Sequence, residues 1–153
     1  MKANIAKATV IGAAIGAAVG IAGYTFVYAK GASYLTNDPK ACANCHVMQE
    51  YYDGWIKSSH RSVAVCNDCH APHDNLVHKY LVKGDNGFWH SLKFTTGKYP
   101  ENLRMRKINQ KVTEAACLYC HQQIVDAIAP TPHSKENMTS CVRCHGAVGH
   151  PKL

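Results

Sequence analysis

Every cysteine in the chain belongs to a Cys-x-x-Cys-His unit: Cys42-Ala-Asn-Cys45-His46, Cys66-Asn-Asp-Cys69-His70, Cys117-Leu-Tyr-Cys120-His121 and Cys141-Val-Arg-Cys144-His145. Two thiols separated by two residues can reach the two vinyl groups on one edge of a porphyrin. The histidine that follows then supplies an axial imidazole to the iron. Zinc ribbons pair Cys-x-x-Cys units without a histidine after each, and a disulfide framework has no use for one. Four copies that consume every thiol therefore predict four covalently attached haem c groups. Cys42, Cys45, Cys66, Cys69, Cys117, Cys120, Cys141 and Cys144 are the attachment points, and His46, His70, His121 and His145 are the proximal candidates.

The four units form two pairs. Cys42 to Cys117 and Cys66 to Cys141 are both 75 residues apart, and within each pair the first cysteines are 24 positions apart. This reads as an internal duplication of a dihaem module, 42–70 and 117–145. A connector of 46 residues, Ala71 to Ala116, joins the modules and holds most of the unassigned polar chemistry.

Six histidines lie outside the motifs: His60, His73, His78, His90, His133 and His150. His60 and His133 sit between the motifs of their respective modules, in corresponding places. His150 follows the last motif too closely to reach the opposite face of the same iron, so it must serve another haem. These three are the distal-ligand candidates; His73 and His78 read as solvent-facing or propionate-contacting. Met48, two residues after His46, emerges on the same side of its haem as His46 and competes with it for the proximal position. A methionine so placed is more often a packing residue.

The elements that must hold these groups are few. Ala8 to Ala29 is a run of 22 uncharged residues, ~33 Å long as a helix and sufficient to cross a bilayer core. Lys2 and Lys7 precede it, which leaves the N-terminus in the cytoplasm and everything after Lys30 on the periplasmic side. A cleaved signal peptide would have a shorter apolar region and a better cleavage site than Tyr28-Ala29-Lys30-Gly31-Ala32. The expected organisation is a membrane anchor over 1–30, its transmembrane helix about 8–29, followed by a periplasmic tetrahaem domain over 31–153. Gly12, Gly16 and Gly20 share one face of the anchor, where a second helix could approach closely in a dimer.

The formal charge is +7, but dense Lys/Arg runs and nucleic-acid-binding motifs are absent, and haem propionates would offset much of that charge. Nucleic acid is therefore not an expected partner. The remainder has few long apolar runs, so haem packing must supply most of the buried surface. The expected fold is mainly α, with short helices leading into each motif, long loops and little or no sheet.

Several stretches carry a family likeness. They are Ala32-Ser33-Tyr34-Leu35-Thr36-Asn37-Asp38-Pro39-Lys40, the Cys-x-x-Cys-His-x-Met unit ending at Met48, Ser58-Ser59-His60, and Lys83 followed by Gly87-Phe88-Trp89-His90-Ser91. With the single anchor, they resemble the NapC/NirT family of membrane quinol dehydrogenases over nearly the whole chain. The resemblance implies that Met48, rather than His46, is the proximal ligand of haem 1. It also implies that haem 1 lacks a strong distal ligand and faces a quinol pocket lined by Lys83 and a side chain near position 90. Some relatives have a carboxylate there; this chain has His90, with Asp85 nearby. In some relatives a partner lysine completes one haem, a role His133 could make unnecessary here.

The implied chemistry is menaquinol oxidation. A quinol gives up two electrons and two protons, so the site needs one-electron acceptors and a base. Lys83, Asp85 and His90 are the candidate catalytic groups, and a neutral histidine suits proton acceptance near pH 7. Only 12 residues separate Ala29 from Cys42, which favours a haem 1 close to the membrane. The implied partner is the pentahaem catalytic subunit of a periplasmic cytochrome c nitrite reductase. The chain is not expected to reduce nitrite itself, because no Cys-x-x-Cys-Lys unit is present. The alternatives are a quinol dehydrogenase serving another periplasmic reductase, and a tethered electron carrier without a quinol site.

Overall fold

The structure, a computed structural model, describes residues 2–128 and 140–150. Among them there are helices, turns and loops but no strand. The chain divides into two compact units, Met1–Thr36 and Asn37–Leu153.

The first unit is built on helix α1, Lys2–Tyr28, in which no residue is buried. An apolar helix with no covered face is unstable in water but suits a lipid environment. It is long and apolar enough to cross a membrane. Lys30 ends it in the left-handed region at φ 52°, and a short 3₁₀ turn, Gly31–Leu35, follows. A Cβ at position 31 would run into the Phe26 ring, which would have to shift to admit it. Gly12, Gly16 and Gly20 face open space.

Among the described residues the second unit has six α-helices, four of which hold motif residues. Helix α2, Pro39–Cys42, starts with proline at N1 and is capped by Asp38, whose carboxylate accepts from the Lys40 amide at 2.9 Å. A 3₁₀ turn, His46–Met48, leads into α3, Gln49–Ile56. The short turn Ser59–Ser62 precedes α4, Cys66–His70. Helix α5, Leu76–Thr96, is capped by the Asn75 side chain, which accepts from the His78 amide at 2.8 Å. It ends at Gly97, whose φ of 64° a glycine adopts without strain. Helix α6 spans Lys107–Ile128, and α7 spans Cys141–Cys144.

Motifs 1, 2 and 4 meet the expectation of short helices. Motif 3 does not, because it lies inside the long helix α6. The connector expected as loop is also mostly helix, since α5 fills its middle. The reason lies in how α5 is patterned. Its inward positions Lys79, Lys83, Asn86 and Lys93 are polar, with Val82 the one buried apolar residue among them. A search for an inward apolar stripe therefore finds little there.

The side-chain core is as thin as composition suggests. Ala41, Ala71, Val82, Val112, Ala116 and Thr113 are the buried residues among those described, and no large side chain is fully enclosed. Ala41 and Ala116 are 75 residues apart and immediately precede the first cysteine of their modules. In the first module α2 packs on α4; in the second α6 packs on α7; and α4 packs on α6 to join them. A small residue before each leading cysteine lets these short helices approach.

Candidate functional site

The duplicated packing brings the motifs together in the same way twice. The thiols of Cys42 and Cys66 are hydrogen-bonded neighbours, and so are those of Cys117 and Cys141. The Cys66 bond, helped by the Lys83 ammonium, holds the Cys42 thiol down at about 7 against the effect of its burial. The same bond pushes Cys66 upward. Cys69 lies within electrostatic reach of Cys117 and Cys120, which links the end of the first module to the start of the second.

Two histidine pairs stand at a spacing with chemical meaning. The rings of His70 and His150 are parallel within 8°, with centroids 6.1 Å apart. Those of His60 and His121 are also 6.1 Å apart, inclined at 74°. Two imidazoles that each hold a metal through nitrogen at ~2 Å have ring centres roughly 6 Å apart. Each pair joins one motif histidine to one of the histidines expected as distal. Thus His150 reaches across to the second motif, and His60 of the first module reaches the third.

Both distal rings are oriented by neighbours. His60 Nδ1–H donates to the Val148 carbonyl at 3.2 Å, which leaves Nε2 for a metal. The edge of Tyr51 packs on the His150 ring at 5.0 Å. His70 is lowered to about 4 by burial, with His150 and His90 adding to the effect, and so stays neutral as an imidazole ligand must.

The other histidines are placed differently. His73 donates from Nε2 to the Asp68 carbonyl at 2.7 Å and stacks on Tyr119 at 4.4 Å. His78 is exposed and pairs with Asp74 at 2.7 Å. His145 is exposed at the end of α7, and His133 lies outside the described residues. In the first motif His46 is exposed whereas Met48 is half-buried.

On α5, at about 100° per residue, Lys83 and His90 fall on one face and Asp85 roughly 160° away. Lys83 is half-buried close to Cys42; its ammonium is lowered by burial and by Lys79, while Cys42 acts in the opposite sense. His90 keeps an exposed edge and is held below the usual imidazole range by burial, then by Arg106 and Lys93. Asp85 is ion-paired with Arg106, which holds its carboxyl low. The structure thus brings Lys83 and His90 to the side of the motifs and turns Asp85 towards the start of α6.

Sequence reasoning missed Arg106, Glu114 and the small residues Ala41 and Ala116. Arg106 also donates to Asn86 Oδ1 at 2.7 Å, and Asn109 donates to the same oxygen at 2.7 Å. Glu114 binds Ser140 and the amide of Cys141 at 2.8 Å, tying motif 3 to motif 4. The only available signal for Ala41 and Ala116 was their equivalence under the 75-residue period.

The residues fit haem c. Cysteines are adjacent in pairs, imidazoles stand at metal-bridging distance, and among the described residues no large side chain is fully enclosed. Arg106 Nε is buried without a hydrogen-bond partner, a donor that suits a cofactor carboxylate nearby. Among the described residues no cluster of three His, Cys, Asp or Glu could hold a bare metal ion. Paired axial ligands are instead what a porphyrin iron takes.

Comparison with known proteins agrees with this geometry. The model of the NapC/NirT cytochrome c family, N-terminal region, matches residues 2–153. The chain is 33% identical over 144 residues to the cytochrome c-type protein NrfH of Wolinella succinogenes, covering 89% of this chain and 81% of that protein. It is 32% identical over 139 residues to the cytochrome c nitrite reductase subunit NrfH of Nitratidesulfovibrio vulgaris, covering 90% and 82%. It is also similar to a chain in the crystal structure of the cytochrome c nitrite reductase NrfHA complex bound to the HQNO inhibitor. There the TM-score is 0.65 at 28% identity, over 90% of this chain and 89% of that one.

Proposed function

The chain belongs to the NapC/NirT cytochrome c family, and on that premise we propose that it oxidises menaquinol and delivers the electrons to a cytochrome c nitrite reductase catalytic subunit. It is a single-pass membrane protein carrying haem c, and its relatives include nitrite reductase subunits. The observation that carries the quinol reading is the shared face of Lys83 and His90 on α5, next to the Cys42 motif.

Cys42, Cys45, Cys66, Cys69, Cys117, Cys120, Cys141 and Cys144 would hold four haems. His70 with His150, and His121 with His60, would each hold an iron. Met48 would hold haem 1 in place of His46, and His133 would be a further distal ligand. The haems would supply one-electron acceptors, and ligation by Met48 would raise the potential of haem 1 relative to two imidazoles. Lys83 would donate a hydrogen bond to a quinol oxygen. His90, neutral at pH 7, would accept a hydroxyl proton. The Asp85–Arg106 pair would set the electrostatics of His90 rather than touch substrate. Lys2 and Lys7 argue for a cytoplasmic N-terminus, with the haem unit in the periplasm. The open Gly12, Gly16 and Gly20 face would serve a dimer contact.

The test is reduction of the haem-loaded full chain by a menaquinol analogue, followed in the haem absorption bands. Fast reduction that is blocked by HQNO and slowed in His90→Ala supports the reading. Reduction by dithionite but not by quinol would leave a tethered electron carrier.

A further inference from the structure

The turn after the last motif serves more motifs than its own. His145 closes α7, its amide donating to the Cys141 carbonyl at 2.8 Å, and the Val148 amide turns back to the His145 carbonyl at 3.4 Å. Two residues further on, His150 lies parallel to His70 of the second motif. Between these two histidines, the Val148 carbonyl accepts from His60 Nδ1–H at 3.2 Å, although the residues are 88 apart in sequence. His60 in turn stands across His121 of the third motif. One short segment, 145–150, therefore reaches the second, third and fourth motifs.

His60 has few other restraints on its ring. A carbonyl can only accept, so Nδ1 carries the proton and Nε2 is left for a metal. Ser59 Oγ, at 3.4 Å from the same nitrogen, is a longer contact. The backbone here is a single 3₁₀ turn, Ser59–Ser62, without a side-chain cap. The rotation of the imidazole about its bond to a metal then depends on Val148. That rotation separates the two histidine pairs: 8° between the planes of His70 and His150, 74° between those of His60 and His121. In a low-spin ferric porphyrin, parallel imidazoles donate into the same iron d orbital and split it from its partner. Crossed imidazoles donate into both orbitals and leave them nearly equal. The first arrangement gives a rhombic electron paramagnetic resonance signal, and the second a strongly anisotropic one dominated by one large g value.

On the premise of the iron-holding histidine pairs proposed above, and independently of the quinol chemistry, we propose that the Val148 carbonyl is the positioning group that holds His60 crossed over His121. A backbone acceptor on the remote imidazole nitrogen fixes both the tautomer and the ring orientation of a metal-bound histidine. For His150 the edge of Tyr51, at 5.0 Å, orients the ring instead. Segment 145–150 thus supplies one distal ligand and orients another. Displacing it alters the second and third sites together, whereas loss of His150 alone alters only the second.

The test is low-temperature electron paramagnetic resonance of the oxidised, haem-loaded full chain, with haem content checked by pyridine haemochrome. The wild type should show both a rhombic and a strongly anisotropic low-spin signal. His60→Ala should lose the anisotropic signal and gain a high-spin haem, which assigns that signal to the third motif. His150→Ala should lose a rhombic signal, gain a high-spin haem and keep the anisotropic one. Removal of residues 148–153 should produce the high-spin haem of His150→Ala and lose the anisotropic signal as well. Val148→Pro keeps the distance to His150 but removes the amide that closes the turn, and should shift or lose the anisotropic signal while the rhombic one persists. An anisotropic signal unchanged in the shortened chain, or in Val148→Pro where the shortened chain does not load haem, would overturn the role of Val148. A rhombic signal lost in His60→Ala would overturn the crossed arrangement itself. His60→Ala or His150→Ala without a new high-spin haem would sink the histidine pairs on which the proposal stands.

Discussion

Replacing Glu114 should weaken the joint between the third and fourth motifs by a calculable amount. Its carboxylate accepts from the Ser140 hydroxyl and from the amides of Cys141 at 2.8 Å and Val142 at 3.5 Å. The long Val142 contact adds little, so two bonds matter. A hydrogen bond to a charged group contributes about 1.5–3 kcal/mol, and partial exposure of Glu114 calls for the low end or less. Glu114→Ala should therefore cost about 2 kcal/mol, and Glu114→Gln, which keeps an acceptor oxygen, about half of that. For a unit of this size the alanine variant should lower Tm by roughly 8 °C. Burial would raise the Glu114 carboxyl, but the Cys141 and Ser140 contacts outweigh it and leave it below the usual range. Its stabilisation is then fully present above the ordinary glutamate value of about 4.3 and is lost as pH falls through the lower folded value. The assay is thermal unfolding of the haem-loaded protein by haem-band circular dichroism at pH 7 and across the acid range. A Tm within about 2 °C of wild type, or an acid limb identical to that of Glu114→Gln, would refute the reasoning.

Other outcomes follow from the same geometry. His60→Ala and His150→Ala should each convert one haem from low to high spin in electron paramagnetic resonance, and the double variant should convert two. His90→Ala should slow reduction by quinol by about 10²-fold or more, whereas Asp85→Asn, remote from the Lys83 face, should change it by less than about fivefold in stopped-flow. Because His90 is held below the usual imidazole range, the rate should stay level through neutral pH. It should fall only on the acid side of about 6.5, as the base becomes protonated. Loss of rate above pH 7 would contradict His90 as the proton acceptor.

Much of the site was legible because covalent haem attachment leaves a fixed local signature. Cysteine spacing proposes attachment points without any knowledge of the fold, and the 75-residue period proposes the modules. The apolar run gave the anchor, since a spanning helix is set by length and composition alone. Long-range partners were harder. His150 could be excluded from its own haem by chain length, but the structure was needed to pair it with His70. Glu114 and Arg106 act across distances of 27 and 21 residues to Cys141 and Asp85, and no local pattern marks such contacts. Helix α5 escaped recognition because its apolar stripe faces outward and its inward face is lysine and asparagine. In a unit whose side-chain core is this thin, the usual inference from apolar periodicity to core runs backwards.

The most direct test of the central claim is a reconstituted assay: the haem-loaded chain in membranes with menaquinol, and a purified cytochrome c nitrite reductase catalytic subunit in solution. The account predicts nitrite-dependent quinol oxidation that needs both proteins and stops with HQNO or in His90→Ala. Quinol oxidation that proceeds unchanged without this chain, or no turnover with all components present, would contradict it.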